Sequence, residues 1–360
     1  MNISATLNDR AETLRSIRDS VGALVPKAGN LQRIRSLRFT EMGFEPASLE
    51  LMGKMGWISL TLPEDAGGMG LGLSELCAVC QELGAGLVPE PLIQANLSAS
   101  LLAHCGASSL ADDVVAGKRL ITTAWQANAD TLEIPVGADA RRRYVPLARG
   151  ADGFLLPVSR DGRVDLIYCG KDVVGVEAVP TQDGGHYGEL QADATSGELI
   201  GTDIAGVLAE SLDRATLATA AYLVGVMEAA FSLTLEYLKS RKQFGRPIGS
   251  FQALQHRCVD LYARVALSRA GLESAAQTWD AGAERRMRQA VVSRAKASAS
   301  DNAMFVTRQA IQLHGAIGFT DEYDAGLYLR KAMVLAGQFG SARYHRQRFL
   351  TEGVSVASAA

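Results

Sequence analysis

The feature that most constrains the fold is a series of long apolar stripes in the second half of the chain. From Ala205 onward, apolar residues recur at spacings of three, four and seven, the repeat of one face of an α-helix. The first stripe consists of Leu217, Val224, Met227, Phe231, Leu235 and Leu238, and the second of Leu254, Cys258, Leu261 and Val265. A third segment, 284–314, is rich in Ala and Ser, which allows helices to approach closely. The pattern predicts a bundle of long helices.

The chain before this bundle divides into two parts. Apolar residues at helical spacing predict an opening helix, and Pro46 and Ser74 begin two further helical candidates. Between about Ala116 and Thr202 the helical period disappears, and Asp-Gly and Gly-Lys turns separate short apolar runs, as in a compact β domain. The predicted fold class is therefore α+β. Its expected parts are an N-terminal helical domain (1–115), a middle β domain (116–203), a helical bundle (204–353) and a disordered tail (354–360).

Composition disfavours several classes of function. The 360 residues carry a formal net charge of -3, with Lys and Arg scattered among Asp and Glu, so no basic stripe for nucleic acid is present. The five cysteines are odd in number and mostly far apart, which argues against a disulfide framework and favours a cytoplasmic location. Cys77 and Cys80 form a CxxC without a second ligand pair, so we expect them in a helix core and predict no metal site. No apolar stretch reaches the roughly 20 residues needed to cross a bilayer, and we expect no membrane association.

A glycine-rich stretch precedes the third helical candidate. The sequence GGMGLG, within 62–72, follows an apolar ISLTL run, as a dinucleotide-binding loop would. No pair of its glycines is followed by a third at the GxGxxG spacing. We interpret this stretch as a bend.

Two motifs carry more specific information. The first runs from Arg241 to His256 (RKQFGRPIGSFQALQH), between two long helices, and the second from Gln312 to Glu322 (QLHGAIGFTDE), at the end of a third. Both resemble signatures of the acyl-CoA dehydrogenase family. The resemblance extends over the whole chain in domain order, including the LTLPEDAGGMGLGL stretch and the VPEPL turn. It is nearest to short bacterial members that form one half of a two-gene pair in steroid side-chain or dicarboxylate degradation.

The residue types in these motifs suit a large polar cofactor. Arg241 offers a permanently charged fork for a diphosphate, and Phe244 offers a flat apolar face to a ring. Gln252 both donates and accepts hydrogen bonds. Gln312 lies one turn before Gly315, where a helix ends and the backbone can approach a ligand. Each also has an ordinary interpretation, since an Arg on a loop is usually solvated and a helix-end Gly is usually a C-cap.

The resemblance implies a fold with an N-terminal helical domain, a middle β-barrel-like domain and a C-terminal four-helix bundle. It implies FAD held between subunits, with both motifs reaching over the cofactor of a neighbour, an acyl-CoA substrate and an electron-transfer flavoprotein as acceptor. The implied cofactor-binding residues are Arg241, Gln243, Phe244, Phe251, Gln252, Gln312, His314, Gly315 and Ala316. For His314, contact with cofactor phosphate or ribose and a purely structural hydrogen bond both remain open.

The parts that serve a chain's own flavin in the family are altered here. A Thr-Glu-Pro stretch followed by Gly-Ser-Asp is expected where this chain reads AWQANAD over 124–130. A Trp-x-Ser/Thr strand is expected where it reads RYVPL over 143–147, so Pro146 replaces a hydroxyl residue and also lacks a backbone donor.

Comparison with the same family signatures also reveals no catalytic base at the expected positions. Dehydrogenation between the α and β carbons needs a carboxylate to take the α-proton while a hydride leaves for the flavin. In the family this Glu lies in one of two places, which correspond here to Phe339 and Ala215. Asp213 and Glu210 lie near the second place, although a solvated surface charge explains them as well.

These losses lead to three hypotheses. The leading one is a partner subunit that completes the FAD site of a related, catalytically equipped subunit in a heterotetramer. The second is a self-sufficient homomeric acyl-CoA dehydrogenase with an unusual base. The third is a non-enzymatic scaffold that keeps the fold without the cofactor.

Overall fold

The structure of the chain is a computed structural model that describes residues 3–26, 30–135, 141–192 and 194–357. It forms two compact units, each assembled from separate stretches of sequence. Unit 1 comprises Met1–Ile34, Leu73–Val88 and Leu217–Ala360, and unit 2 comprises Arg35–Gly72 and Pro89–Thr216. The expected domains are consecutive stretches with boundaries at 115 and 203, whereas each unit combines separate stretches. The two divisions are of different kinds, so the expected boundaries stay predictions.

The helices in chain order are α1 (Ile3–Leu24), α2 (Gln32–Leu37), α3 (Pro46–Lys54), α4 (Leu73–Ala85), α5 (Leu92–His104), α6 (Ser108–Val115), α7 (Ala205–Ser240), α8 (Gln252–Asp280), α9 (Arg285–His314), α10 (Ala325–Leu335) and α11 (Ala342–Ala357). The strands are β1 (Ile121–Thr123), β2 (Arg142–Pro146), β3 (Gly153–Arg160), β4 (Arg163–Gly170), β5 (Val174–Pro180), β6 (His186–Ala192), β7 (Glu198–Gly201), β8 (Lys242–Gln243) and β9 (Arg246–Pro247).

Unit 1 contains most of the predicted helical bundle together with α1 and α4, and its long helices confirm the helical periodicity of the sequence. The helix α9 begins and ends within one residue of the predicted segment. The helix α7 is long and apolar enough to span a membrane, contrary to the expectation that no such stretch exists. Its most apolar window is 83% buried, which is typical of the core helix of a bundle.

Two glycines explain how closely α4 packs against α7. A Cβ at Gly84 would lie 2.1 Å from the Tyr222 carbonyl oxygen, and one at Gly225 would lie 1.8 Å from the Gln81 carbonyl oxygen. Only glycine allows this approach.

The thiols of Cys77 and Cys80 lie in the same core, where burial raises the pKa of Cys80 to about 12. The prediction that the CxxC pair is core is confirmed.

Unit 2 combines short helices with two sheets. The sheet orders are β1-β3-β4-β7, in which β1 and β3 are parallel, and β2-β6-β5, which is antiparallel. The β region expected to be barrel-like therefore consists of two separate sheets of four and three strands in the described residues. Helix α3 begins at Pro46, as predicted.

The glycine-rich stretch in unit 2 is a bend. The preceding apolar run, 58–62, forms turns instead of a strand, and a short 3₁₀ helix, Glu64–Ala66, follows it. A Cβ at Gly68 would lie 2.1 Å from the Leu62 carbonyl oxygen, so this glycine is needed where the chain folds back on itself. The strand-loop-helix order of a dinucleotide site is absent from this described segment.

The expected disordered tail is only partly described. Helix α11 continues to Ala357, so residues 354–357 are helical. The rest of the tail, 358–360, lies outside the described residues.

Candidate functional site

The first motif folds into a tight hairpin directly after α7. Strands β8 and β9 pair through Gln243 and Arg246, which leaves Phe244 and Gly245 as a two-residue turn. Their φ angles are 52° and 76°, the hand of a type I′ hairpin turn. Glycine adopts this conformation freely, but an aromatic residue is strained there. Phe244 is nevertheless 90% exposed at the tip, so neither burial nor backbone geometry accounts for its presence.

A cation and two aromatic rings organise the base of the hairpin. The Arg246 guanidinium lies 4.2 Å from the ring centroid of Phe251, and the rings of Phe251 and Phe244 meet edge to face at 6.0 Å. The Ile248 amide donates to the Arg241 carbonyl oxygen at 2.8 Å. The backbone is therefore fixed, while the side chains of Arg241 and three neighbours are exposed: Gln243, Arg246 and Gln252.

The second motif begins where α9 ends. Gly315 has φ 65° and ψ -141°, a conformation that residues with a Cβ rarely adopt, and its amide donates to the Gln312 carbonyl oxygen. A Cβ at Gly315 would have no atom within 4 Å, so the glycine is required by its backbone angles and not by lack of space. Gln312, Gly315 and Ala316 are all exposed.

A cluster of three rings joins the two motifs. The Tyr237 ring, in the last turn of α7, lies 4.5 Å from the ring of His314, and the ring of Tyr323 lies 4.8 Å from His314. His314 Nδ1 is 2.7 Å from the Ala310 carbonyl oxygen, and Nε2 is 3.2 Å from the Tyr323 hydroxyl. Burial lowers the pKa of His314. Both of its ring nitrogens have partners within the chain, which favours the structural alternative for this residue. The cluster brings the two motifs to one end of unit 1, called here the donor end (residues 241–252 and 312–316).

Sequence reasoning missed three members of this arrangement. Arg246 lies inside the first motif, where only its spacing from Phe251 hinted at a stacked cation. Tyr237 and Tyr323 are far apart in sequence and meet only through His314. Pairwise contacts of this kind leave no periodic signal.

The turn that contains Phe339 is held as a structural element. Phe339 is 3% exposed with φ 55°, and its carbonyl oxygen is 2.7 Å from His345 Nε2. The buried Lys296 ammonium donates to the carbonyl oxygens of Ala336 and Gly340, each at 3.1 Å, beyond the C-terminus of α10. A cation at this position satisfies carbonyl groups that the helix end leaves open.

The alternative bases lie in unit 2. The Glu210 carboxylate accepts a hydrogen bond of 2.7 Å from Arg214, one turn away on α7, and Asp213 is buried. Glu210 also lines a pocket of about 580 Å³ together with Arg214, Ser211 and His104. Ala215, one of the two positions at which the resemblance leads us to expect a base, is buried and carries no titratable group.

The altered flavin stretches in unit 2 are occupied by their own contacts. The Gln126 side-chain amide donates to the Asn128 carbonyl oxygen at 2.8 Å, and the Arg143 amide donates to the Gln126 carbonyl oxygen at 2.7 Å. Trp125 is buried. Gln126 thus bonds to a residue of each stretch, 124–130 and 143–147.

Comparison with known proteins identifies the family. The model for the C-terminal domain of acyl-CoA dehydrogenases matches residues 205–351, and the model for the N-terminal domain matches residues 11–116. The chain belongs to the acyl-CoA dehydrogenase family. The Mycolicibacterium smegmatis protein named acyl-CoA dehydrogenase IpdE2 is 30% identical over 95% of this chain and 99% of its own length.

Solved acyl-CoA dehydrogenase structures agree with the fold. The Tcur3481-Tcur3483 steroid enzyme variant superimposes with a TM-score of 0.84 at 26% identity, over 98% of this chain and 99% of that chain. The ChsE4-ChsE5 complex from Mycobacterium tuberculosis gives a TM-score of 0.81 at 26% identity, over 96% of both chains. Butyryl-CoA dehydrogenase from Megasphaera elsdenii, at 17% identity, shares the fold with a TM-score of 0.79 over 95% of this chain and 97% of that chain.

Membership confirms the expected fold, enzyme class and cofactor. Acyl-CoA dehydrogenases are FAD-dependent oxidoreductases that act on CH-CH bonds. The donor end suits part of an FAD molecule, because it presents a guanidinium, exposed amides, an aromatic face and a helix-end glycine at one place. The stretches 124–130 and 143–147 in unit 2 suit it less well, because the Gln126 side-chain amide and the Arg143 backbone amide already bond within the chain and Pro146 has no backbone donor.

Proposed function

We propose that this chain is the partner subunit of a heteromeric acyl-CoA dehydrogenase, in which it completes the FAD site of a related catalytic subunit. One observation carries the proposal. The exposed donor groups of the family gather at one end of unit 1, while both usual positions of the base hold a buried apolar side chain, Phe339 and Ala215.

Each residue of the donor end has a role under this proposal. Arg241 binds the diphosphate through its two-pronged guanidinium, and Phe244 at the hairpin tip packs against a ring of the cofactor. Gln252 and Gln312 hydrogen-bond polar groups of the cofactor, and Gly315 lets the backbone approach it. Gln243, Phe251 and Ala316 complete the surface, and His314 positions the second motif from within. The bound FAD supplies the hydride acceptor.

The substrate and partners follow from the relatives. A steroid acyl-CoA dehydrogenase and a two-component complex are among the similar structures, so we propose an acyl-CoA substrate with a bulky acyl group such as a steroid side chain. A heterotetramer with two copies of each chain leaves one site per pair. Electron-transfer flavoprotein is the proposed acceptor, and the cytoplasm the proposed location.

Co-expression tests this function. The chain is produced alone and with each acyl-CoA dehydrogenase homologue of the same genome that carries the catalytic Glu. The flavin content and the acyl-CoA-dependent reduction of a dye are then measured. We expect a colourless, inactive chain alone and a yellow, active complex with one partner. A yellow chain that alone reduces the dye with an acyl-CoA would sink the proposal.

A self-sufficient enzyme is the second candidate, because Glu210 lines a pocket large enough for a small molecule. Its carboxylate is paired with Arg214, which is the arrangement of a surface ion pair. Activity of the isolated chain that Glu210→Gln or Asp213→Asn abolishes would establish it. The scaffold hypothesis instead requires that the chain binds no flavin with any partner.

A further inference from the structure

A cavity in unit 2 is lined by residues that have no role in a partner subunit. Its volume of about 580 Å³ lies within the range of small-molecule sites. The loop 61–67, the end of α5, one face of α6 and the first turns of α7 surround it, and all of them belong to unit 2. We call it the α5–α7 cavity (lined by residues of 61–67, 100–112 and 207–214).

The cavity is separate from the candidate base positions on α7. The residues of α7 that line it recur at helical spacing and so share one face: Val207, Glu210, Ser211 and Arg214. Asp213 and Ala215 lie on the same helix but do not line the cavity. A ligand in the cavity therefore does not contact the place where the resemblance leads us to expect a base.

Several polar groups of the lining already serve the fold. The Ser100 hydroxyl donates to the Asn96 carbonyl oxygen at 2.9 Å, and the Asn96 side-chain amide donates to the Thr61 hydroxyl at 3.2 Å. Arg214 donates to the Glu210 carboxylate at 2.7 Å. These contacts fix the shape of the cavity before any ligand binds.

Ser211 is a lining residue whose hydroxyl is not used by the fold. It is only 4% exposed, yet the described part of the chain provides no hydrogen-bond partner for its side chain. A hydroxyl in a helix commonly donates to the carbonyl one turn back, as Thr216 does to Leu212 at 2.7 Å. Burial of a hydroxyl without a hydrogen bond is unfavourable. A ligand in the cavity would supply the missing partner.

The charges of the lining favour a cation. Asp65 and Asp112 are exposed and form no ion pair with any described residue, whereas Arg214 is paired with Glu210. His104 is the remaining titratable group of the lining. The cavity meets the end of α5 and the starts of α6 and α7, and a helix end carries only about half a charge. The two carboxylates outweigh this contribution, so anions such as FAD and acyl-CoA are disfavoured here.

We propose that the α5–α7 cavity binds a small aliphatic amine with two ammonium groups. Asp65 and Asp112 accept hydrogen bonds from the ammonium groups, and the Ser211 hydroxyl accepts a further one. The methylene stem of the amine packs against apolar side chains of the lining, among them Ala111 and Val207. All of these groups lie in unit 2, so the inference does not depend on the proposed function.

Titration calorimetry of the full-length chain at low ionic strength tests this site. Putrescine is the probe, and the uncharged diol of the same chain length is its control. The double variant Asp65→Asn, Asp112→Asn removes both charges, and Ser211→Ala removes the hydroxyl. The matched control, Glu64→Gln, Asp113→Asn, removes two charges from the adjacent positions, which do not line the cavity. Thermal unfolding without ligand checks that each variant folds.

We expect putrescine to bind saturably and the diol not to bind. The cavity double variant should bind putrescine about 30-fold more weakly, because two charge-assisted hydrogen bonds are lost. Ser211→Ala should bind it about 5-fold more weakly, and the control double variant should bind like the wild type.

Three results would overturn the inference. The first is an absence of putrescine binding to the wild type. The second is equal weakening in the two double variants, which would show only a general attraction to the acidic chain. The third is competition between acyl-CoA and putrescine, which would assign the cavity to the substrate of a self-sufficient enzyme.

Discussion

The donor end of unit 1 and the stretch 124–147 of unit 2 differ in whether their polar groups are exposed to solvent or hydrogen-bonded within the chain. At the donor end, Arg241, Gln252 and Gln312 extend into solvent from a rigid hairpin and a helix end. In unit 2, the Gln126 side-chain amide and the Arg143 backbone amide donate to carbonyl oxygens of neighbouring residues in the chain. A solvent-exposed donor on a fixed backbone is available to a ligand. A donor that is hydrogen-bonded within the chain only stabilises its own loop. The difference favours a chain that contributes to a neighbour's cofactor over one that holds its own.

The largest effect is expected from restoring the missing carboxylate. Phe339→Glu should create no dehydrogenase activity in the isolated chain, because the altered stretches 124–130 and 143–147 are not restored. It should also lower the free energy of unfolding by about 3–5 kcal/mol, since a packed ring is lost and a charge enters a buried position. Dye reduction with acyl-CoA and urea denaturation measure the two effects. Activity in this single variant would show that unit 2 can hold flavin after all.

The next effect separates the two regions directly. Arg241→Ala in the assembled complex should weaken flavin binding by about 2–3 kcal/mol, roughly 30- to 150-fold, through the loss of charge-assisted hydrogen bonds. Arg143→Ala in unit 2 should leave flavin binding unchanged. Fluorescence titration of the flavin-depleted complex measures both. Equal losses in the two variants would remove the distinction between the regions.

A smaller effect is expected at the hairpin tip. Phe244→Asn replaces a strained residue at φ 52° with one that tolerates this angle, so the free chain should gain up to about 1 kcal/mol of stability. The complex should lose about 1 kcal/mol of flavin affinity with the aromatic face. Denaturation of the free chain and flavin titration of the complex provide the two readings. A loss of both stability and flavin affinity would mean that the Phe244 ring stabilises the folded chain.

The smallest effect concerns acid sensitivity, to which a buried histidine of each unit contributes. Burial lowers the pKa of His314 in unit 1 and of His186 in unit 2, and Arg149 adds to the effect on His186. The unfolded chain therefore takes up these protons first, so stability falls as pH decreases below the ordinary value of 6.5 and levels off below the folded pKa. His314→Gln should flatten part of this slope in urea denaturation at a series of pH values. An unchanged slope would assign the acid sensitivity to other groups.

Much of the fold could be predicted from sequence because helix periodicity is a local property. The stripe through Leu217 and Leu238, the Ala-rich helix ending at His314 and the helix starting at Pro46 all follow from residue spacing. The apolar character of α7 was underestimated, because its uncharged run, 215–227, contains Thr216 and Thr219 and is shorter than the roughly 20 residues of a membrane span. The two units could not be predicted, since each is assembled from stretches separated along the chain.

In the candidate site, too, some features follow from the sequence and others only from tertiary contacts. The sequence by itself determined the family motifs, the residue types of the donor end and the absence of Glu at positions 339 and 215, because these depend only on residue order. Only the tertiary structure decided that Tyr237, His314 and Tyr323 join the two motifs, that Lys296 and His345 fix the turn of Phe339, and that separate stretches of unit 2 line one cavity. The physical reason is that these properties depend on contacts between residues far apart in the chain and on what remains uncovered once the helices have packed.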